Sequence, residues 1–336
     1  MTEKIAIFRA LQLGDMLNVI PAARSLRLHY PNAEISLLGL PWAGEFVKRF
    51  DRYFDRLIRF PGYRGLPEQG YDDGEFAAFL LDMRDEHFDL LLQMQGNGTI
   101  VNGMLSRFGA VRLAGFHNKE CRMSSPDFLE YPEHLHEIER HLALMAHLGV
   151  PPAGEELEFP LTKEDESAFR ALQLRVERGS YVCIHAGSRD SRRRWPPPYF
   201  ALLADLCAER GFDLVITGTG NESEITRELI KWIHHPIIDV TGMTTLGSMG
   251  VLLRDSALLI ANCTGVAHLA AALRTPSLII SMDGEPHRWA ALDHSIHKTI
   301  DWTMNHSLED VFAAFEELLP IGSVFSGDRS LSPTPV

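Results

Sequence analysis

Residues 181–196 carry the densest concentration of chemistry in the sequence. An apolar run reaches a turn at Gly187 and Ser188, and four arginines follow within a few positions. A strand that ends in a small-residue turn leaves backbone N–H groups facing outward, and guanidinium groups beside it can grip phosphate oxygens in pairs. The pattern favours a diphosphate-binding loop, although a solvated arginine-rich loop has the same composition. The arginines are Arg189, Arg192, Arg193 and Arg194.

A second phosphate-binding candidate follows a later apolar run. Thr264 and Gly265 stand at the start of a stretch of small, helix-forming residues, where free N–H groups and the helix dipole attract anions. His268 lies one turn further on, within reach of the same phosphate, although single histidines on helices are more often structural. Residues 283–289 follow another apolar run. They either close over a nucleotide or form a surface loop anchored by Trp289.

Polar residues also follow three other predicted strands. Gly14 permits a close approach of backbone and ligand, and the neighbouring Asp15 is either a general base or a partner of the helix dipole. Gln95 and Gly96 fit hydrogen bonding to a polyhydroxylated ligand, and they fit a simple polar turn equally well. Glu222 either binds a ribose hydroxyl or caps the helix that follows it.

Composition narrows the class of protein. A chain of 336 residues is long enough for two domains, and 45% hydrophobic with 23% charged residues is ordinary for a globular protein. The net charge of -13 disfavours general nucleic-acid binding, so the local cations should meet small anionic ligands. The four cysteines are scattered and form no C-x-x-C pair, which predicts reduced thiols rather than disulfides or a zinc cluster.

Short apolar runs alternate with helical periodicity along the chain, which predicts an α/β protein with parallel sheets. The Pro- and Gly-rich stretch 150–154 predicts a domain boundary, giving domains at 1–152 and 153–320 and a disordered tail at 321–336. With no long apolar run and no signal-type start, we expect a cytoplasmic protein. Strands are predicted at 5–8, 34–38, 90–93, 181–185, 214–217, 237–240, 258–260 and 277–280, and helices at 16–30, 74–86, 136–148, 198–209, 222–233, 247–254, 266–273 and 308–319.

The motifs, in this order, resemble those of family 9 glycosyltransferases, the heptosyltransferases that build the inner core of lipopolysaccharide. The resemblance extends over nearly the whole chain, to about residue 319. It rests on L-G-D-M-L at 13–17 with Pro21-Ala22, on Gln95-Gly96, on H-x-x-E-R at 136–140, on G-S-x(4)-R-R-W-P at 187–196 and on T-G-x-x-H-L-A-A-A at 264–272.

The resemblance implies a GT-B fold, in which two Rossmann-like domains with parallel sheets face each other across a cleft. It implies an acceptor on the N-terminal domain, a nucleotide-sugar on the C-terminal domain, and inversion at the anomeric carbon. Asp15 then matches the general base, and Arg193 stands where the family usually has lysine. We assign Ser188, Glu222, Thr264, Gly265 and His268 to donor binding, and Gly14, Gln95 and Gly96 to acceptor binding.

Two positions depart from the family pattern. Cys263 stands where the family commonly has Asp, and Met282-Asp283-Gly284 replaces the usual Gly-Pro after the last strand. The donor implied by the resemblance is ADP-heptose and the acceptor a lipopolysaccharide core or related glycan. The base and sugar of the donor depend on contacts near Cys263.

The chemistry expected for inverting transfer needs a base for the acceptor hydroxyl and stabilisation of the departing diphosphate. The sequence has no Asp-x-Asp, so we expect arginine to replace the charge of a metal, with no metal and no cofactor. Two alternatives remain: another nucleotide-sugar enzyme of this fold, such as an epimerase or phosphorylase, or a non-catalytic module binding a sugar nucleotide or a membrane surface. The second alternative rests on Cys263 and on arginines interleaved with aromatic residues in 49–64, which could meet an anionic lipid acceptor at the inner membrane. An ordinary amphipathic helix and loop has the same pattern.

Overall fold

The computed structural model describes residues 3–319 and divides them into two α/β units. Within this range, the first unit comprises residues 3–160 together with His287–Trp289, and the second comprises 161–286 and 290–319. The tail predicted at 321–336 lies outside the described residues. Between residues 3 and 319, no helix is both long and apolar enough to span a bilayer.

The first half of the chain builds one six-stranded parallel sheet flanked by helices. The strand order is β3-β2-β1-β4-β5-β6, so the order reverses between β1 and β4. Ligands of such sheets bind where the order reverses, beyond the carboxyl ends of the strands. The elements are β1 (Lys4–Phe8), α1 (Leu13–Leu17), α2 (Ile20–His29), β2 (Glu34–Gly39), α3 (Ala43–Arg49), β3 (Arg56–Arg59), α4 (Asp73–Glu86), β4 (Leu90–Gln93), α5 (Val101–Leu105), β5 (Arg112–His117), β6 (Phe128–Glu130) and α6 (Glu137–His147).

The second half repeats the architecture. Its parallel sheet has the order β12-β11-β10-β7-β8-β9, and here the reversal falls between β7 and β10. The elements are α7 (Lys163–Ala171), β7 (Tyr181–His185), α8 (Pro197–Glu209), β8 (Asp213–Ile216), α9 (Ser223–Ile230), β9 (Ile237–Asp239), α10 (Leu246–Asp255), β10 (Leu258–Asn262), α11 (Gly265–Leu273), β11 (Ser277–Ser281), α12 (Pro286–Trp289), β12 (His297–Asp301) and α13 (Leu308–Leu318). Parallel pairing throughout confirms the predicted fold class.

Each unit has its own core between sheet and helices. In the first unit, Phe8 of β1 stacks edge-on against Phe60 at 5.0 Å between ring centroids, and Phe79 of α4 contacts Phe60 at 5.9 Å. In the second unit, Trp195 contacts Trp302 at 5.3 Å and Phe200 at 5.1 Å. Burying one such side chain stabilises the fold by about 1.5–3 kcal/mol.

The single helix predicted at 16–30 is two helices in the structure. The first, α1, ends at Leu17, and α2 begins at Ile20 with Pro21 in its first turn. Proline has no backbone N–H to donate and its ring clashes with the preceding turn, so it fits the start of a helix and not its interior. The helix α1 also begins at Leu13, three residues before the predicted start, which places Asp15 in its first turn.

Residues 153–160, which the sequence placed in the second domain, pack with the first unit. Glu158 is the reason, because its carboxylate accepts hydrogen bonds from Arg24 at 3.0 Å, from the Tyr53 hydroxyl and from Arg52. Burial and the neighbouring Glu158 raise the pKa of Tyr53, which keeps its hydroxyl protonated as the donor. The units therefore divide between Pro160 and Leu161. The acceptor and donor roles given to the two domains stay predictions.

Candidate functional site

The arginine-rich loop after β7 is fixed in place by buried contacts. The Asn262 side chain at the end of β10 accepts a hydrogen bond from the Trp195 backbone N–H at 2.8 Å and donates one to the Ala186 carbonyl at 2.8 Å. Arg194 Nε donates to the Ser188 carbonyl at 2.9 Å. Asn262 and Trp195 are almost wholly buried, so these contacts give the loop a fixed conformation. The loop is therefore not simply a solvated run of charged residues.

The four arginines of the loop have different surroundings. Arg192 is exposed and pairs with Asp190 at 2.6 Å, and Arg189 is also exposed. Arg193 instead turns toward the ends of β10 and β11, where its Nη2 donates to the Cys263 carbonyl at 2.8 Å and pairs with Asp283 at 2.6 Å. Arg193 is therefore the cation that links the loop to the second phosphate-binding candidate.

That second candidate is the start of α11, at the carboxyl end of β10. Thr264 is the N-cap residue with an extended backbone, and its hydroxyl does not cap the helix but donates to the Asn262 carbonyl at 3.4 Å. Gly265 opens the nine-residue helix, and His268 lies buried in its first turn. First-turn N–H groups left without a side-chain cap are suited to an anion. The predicted loop and helix start thus come together, joined by the contact between Arg193 and the residue before Thr264.

Glu222 lies against the same loop. Its carboxylate accepts from the Thr219 backbone N–H at 2.8 Å and the Thr219 hydroxyl at 2.9 Å, which closes a capping box on the short turn Gly220–Glu222. Within the described residues, Glu222 makes no side-chain hydrogen bond that caps α9, so the predicted cap of the following helix is not formed. The Glu222 carboxylate also lies 3.8 Å from Nε2 of His185, a largely buried ring whose pKa is lowered by burial. A methyl group on Gly187 would come within 2.3 Å of the Glu222 carboxylate, so glycine makes this approach possible. Contact with a ribose stays a prediction.

In the first unit, Asp15 contacts a buried arginine, Arg9, to which the sequence analysis gave no role. Arg9, directly after β1, is fully buried. Its Nε donates to the Asp15 backbone carbonyl at 2.8 Å, its Nη2 lies 3.8 Å from the Asp15 carboxylate, and its Nη1 donates to the Met94 carbonyl after β4. Asp15 is 30% exposed, so its carboxylate is both held by a cation and open to a ligand.

The guanidinium of Arg9 is held in turn by Glu137 at the start of α6, at 3.2 Å. The same buried carboxylate accepts from Arg140 at 3.0 Å and from Arg288 of α12 at 3.1 Å, and lies 3.4 Å from His141. Burial opposes ionisation, but His141 and the arginines hold the pKa of Glu137 far below its usual range. Burial lowers the pKa of His141 to about 4, so its ring is neutral at pH 7.

Gln95 and Gly96 lie after β4 beside the end of β1. The side-chain carbonyl of Gln95 accepts from the Ala10 backbone N–H at 2.7 Å, which fixes the start of the loop carrying Gly14 and Asp15. Gly96 has a positive φ of 60°, a conformation that favours glycine. The structure thus gives Gln95 a part in shaping the loop, and acceptor binding by Gln95 and Gly96 stays a prediction.

The arginines in 49–64 are largely committed to contacts within the chain. Arg49 stacks on Phe159 at 4.3 Å and donates to the Pro160 carbonyl, Arg52 pairs with Glu158, and Arg56 pairs with Glu86 at 2.5 Å. Three of the cations proposed for a membrane surface therefore stabilise the first unit. Contact of the remaining exposed arginines with lipid stays a prediction.

Two Rossmann-like units in one chain, each with polar and charged side chains at the carboxyl ends of its strands, are typical of the GT-B class of nucleotide-sugar-dependent transferases. The particular family follows from comparison with known proteins. The model of glycosyltransferase family 9 (heptosyltransferase) matches residues 77–311, and the chain belongs to this family. It is therefore a glycosyltransferase, and the resemblance read from the sequence is confirmed.

Curated relatives and solved structures agree with the family. The chain is 21% identical to lipopolysaccharide heptosyltransferase 2 of Escherichia coli, over 87% of this chain and 86% of that protein. It is 28% identical to lipooligosaccharide heptosyltransferase 2 of Haemophilus ducreyi, over 84% of this chain and 83% of that protein. The crystal structure of E. coli ADP-heptose lipopolysaccharide heptosyltransferase II superposes with a TM-score of 0.74 at 19% identity, covering 94% of this chain and 98% of the other, which confirms the GT-B fold.

Proposed function

We propose that this protein transfers heptose from ADP-heptose to a lipopolysaccharide core or related glycan acceptor, with inversion at the anomeric carbon and without a metal ion. The observation that carries the proposal is the contact of Arg193 with the residue before the α11 start, in a chain of the heptosyltransferase family. Both elements lie where the strand order of the second sheet reverses, the place where such sheets bind nucleotides. The names of the relatives supply the donor and acceptor class.

In this proposal Asp15 is the general base. An acceptor hydroxyl gives its proton to the Asp15 carboxylate as the hydroxyl oxygen attacks the anomeric carbon from the face opposite the diphosphate. Arg9 keeps the carboxylate in place, because its Nη2 lies 3.8 Å from the carboxylate and its Nε donates to the Asp15 backbone carbonyl. A positioned base of this kind accelerates the reaction by roughly 10²–10⁴-fold.

The departing diphosphate gains negative charge as its bond to the sugar breaks. Arg193, the Ser188 hydroxyl and the first N–H groups of α11 at Gly265 are the groups proposed to bind it, with His268 beside them. Thr264 positions the helix start, and Glu222 binds the ribose. Donors aimed at developing charge supply several kcal/mol, and the loss of one typically costs about 10²–10³-fold in kcat. The fixed guanidinium takes the part that a divalent metal plays in other transferases.

We infer a cytoplasmic location with peripheral contact at the inner membrane. A glycolipid acceptor is held in a membrane, whereas a nucleotide-sugar is dissolved in water, so an enzyme that joins them works at the boundary. All four cysteines are free thiols and three of them are buried, which fits a reducing compartment. The exposed arginines of the first unit are the groups available for anionic lipid.

Nucleotide selectivity tests the donor half of this proposal. Calorimetric titration of the purified protein with ADP, UDP, GDP and CDP in the presence of a chelator should show ADP binding most tightly. Arg193→Ala should weaken ADP at least tenfold, because the cation is lost from the diphosphate, while Arg189→Ala, an exposed arginine of the same loop, should leave it within twofold. Equal affinity for all four nucleotides, or an absolute need for a divalent metal, would sink the proposal. Release of free sugar or an epimer from the donor without acceptor would favour the alternative enzyme classes.

A further inference from the structure

Asp283, in the loop after β11, has a carboxylate that is fixed on three sides. One oxygen pairs with Arg193 Nη2 at 2.6 Å. The other accepts from the Ser281 hydroxyl at 2.7 Å and from the Glu285 backbone N–H at 3.3 Å. The Ser281 side chain is fully buried and the Asp283 side chain is 20% exposed. Asp283 is therefore an anchored anion and not a mobile surface charge.

The guanidinium of Arg193 is held through one of its nitrogens, Nη2. Nη2 carries both the Asp283 contact and the bond to the Cys263 carbonyl. Among the residues that the structure describes, Nη1 makes no hydrogen bond to protein and the buried Nε has no acceptor. The arginine side chain is long and flexible, so a guanidinium without such an anchor would sample many orientations. With Nη2 anchored, Nη1 is left to meet a ligand.

Cys263 lies beside the same guanidinium but contributes no charge. Burial raises the pKa of its thiol to about 11, with the neighbouring Asp283 acting in the same direction and Arg193 opposing it. The thiol is therefore neutral at pH 7. The anion that balances Arg193 comes from the loop after β11 and not from the residue that precedes the α11 helix start.

We propose that Asp283 is a positioning residue that orients Arg193 toward the departing diphosphate; this inference rests on the proposed function. Asp283 touches no substrate in this account and acts through Arg193. Its carboxylate also repels the diphosphate, which offsets part of the binding gained from a well-oriented cation. The benefit of orientation is greatest where charge develops, in the transition state. Asp283 therefore favours turnover more than ground-state binding.

Asp283→Asn provides the first test, in a transfer assay with ADP-heptose and a core acceptor. We expect kcat to fall at least tenfold, while the Kd for ADP measured by calorimetry changes less than threefold. Asp293→Asn is the matched control, because Asp293 forms a surface ion pair with Arg274 at 3.3 Å in the same unit; its kcat should stay within twofold of wild type. An Asp283→Asn enzyme with wild-type kcat would overturn the inference. A wild-type protein that neither binds ADP nor transfers heptose would instead overturn the proposed function and the inference with it.

Moving the carboxylate provides the second test. Because the Cys263 side chain lies beside the guanidinium, an aspartate at 263 can supply the missing anion from the other side. Adding Cys263→Asp to Asp283→Asn should raise kcat at least threefold above the Asp283→Asn enzyme. A merely structural role for Asp283 predicts no such rescue, and a double variant no faster than Asp283→Asn would contradict positioning.

Ser281→Ala is the third variant and preserves all charges. It removes only the hydroxyl that anchors Asp283, so we expect a smaller fall in kcat, about two- to fivefold, with unchanged thermal unfolding. If Asp283→Asn proves poorly folded, the kcat of Ser281→Ala still tests whether Asp283 positions Arg193. Unchanged kcat in Ser281→Ala, together with destabilisation in Asp283→Asn, would show that the carboxylate serves folding alone.

Discussion

Arg9 is a buried side chain that fixes the loop carrying Asp15, the proposed general base. Its guanidinium connects the ends of β1 and β4, the backbone and carboxylate of Asp15, and Glu137 of α6. The charged and titratable groups around it are Asp15, Glu137, Arg140, His141 and Arg288. If Arg9 is removed, Glu137 keeps its contacts with Arg140, His141 and Arg288. Replacement of Arg9 should therefore change mainly the position of Asp15.

Replacement of Arg9 by Met should lower kcat/KM for transfer by about 10- to 100-fold. Without the guanidinium 3.8 Å away, the Asp15 carboxylate loses its fixed orientation. The proposed function places ADP on the second unit, so the Kd for ADP should be unchanged. The measurements are kcat/KM for transfer and the Kd for ADP.

Arg24→Met is the matched control for that experiment. Arg24 also links an acidic side chain, Glu158, to backbone carbonyls of the first unit, and among the described residues its hydrogen bonds go to partners outside the Asp15 loop. Its replacement should lower the free energy of unfolding by about 1–3 kcal/mol and leave kcat/KM within twofold of wild type. Equal kcat/KM in Arg9→Met and wild type would rule out the role given to Arg9.

Sequence reasoning found the residues that directly follow strands and missed those that hold them. Arg193 and Thr264 could be predicted because a turn after an apolar run has a local signature. The Arg193–Asp283 pair and the Arg9–Glu137 pair join positions far apart in sequence, and no local pattern encodes which strand ends become neighbours. Asn262 lay inside a segment already singled out, but its bonds to Trp195 and Ala186 depend on the pairing of β7 with β10.

At the scale of elements, most apolar strands were predicted to within a residue or two, including the edge strand β9 at 237–240, whereas the internal strand β5 and the edge strands β3, β6 and β12 were missed. The predicted strand at 181–185 is β7, and those at 90–93 and 277–280 correspond to β4 and β11. In contrast β3 and β12 are short edge strands with the mixed sequences RLIR and HKTID. An edge strand has one open side, so its polar residues carry little of the apolar signal that marks a central strand.

The residue after helix α4, His87, has an unfavourable backbone conformation that lowers the stability of the fold. His87 is exposed and has φ of 55°, in the left-handed region where a side chain costs about 1 kcal/mol relative to glycine. His87→Gly should raise the free energy of unfolding by about 0.5–1 kcal/mol. His87→Ala removes the same ring but keeps a β-carbon, so it should show no gain. Urea denaturation of the three proteins checks this, and equal gains in both variants would refute the backbone explanation.

At the scale of the whole molecule, both units have the same strand order, and each candidate site lies where that order reverses. The first unit brings Arg9 and Gln95 together after β1 and β4. The second brings Arg193 and Cys263 together after β7 and β10. The repeated α/β pattern was predictable from periodicity, whereas the membership of residues 153–160 in the first unit depends on side-chain contacts that periodicity does not report.

Buried histidines make the fold sensitive to acid. Burial lowers the pKa of His297, whose ring contacts the Ser277 hydroxyl at 2.8 Å, to about 4, and Asp293 opposes this shift. Between pH 6.5 and 4 the unfolded chain therefore binds more protons at this site than the folded chain, so stability falls as pH falls. From pH 7 to 5 the loss at this one site is roughly 2 kcal/mol.

His297→Gln should remove that part of the acid sensitivity. The free energy of unfolding, measured by urea at pH 7 and pH 5, should differ less between the two pH values in the variant than in wild type, by roughly 2 kcal/mol. His141 of the first unit remains as a second acid-sensitive group in both proteins. The same pH difference in variant and wild type would mean that His297 is not the group that titrates.

An assay of heptose transfer is the decisive test of the proposed function. Purified protein is incubated with ADP-heptose and a lipopolysaccharide core acceptor in the presence of EDTA, and both the released ADP and the mass and anomeric configuration of the product are measured. We expect one ADP released per heptose added, an inverted linkage, and a loss of rate of roughly 10²–10⁴-fold in Asp15→Asn with ADP binding retained. A product with retained configuration, or an Asp15→Asn enzyme as fast as wild type, would contradict the proposed function.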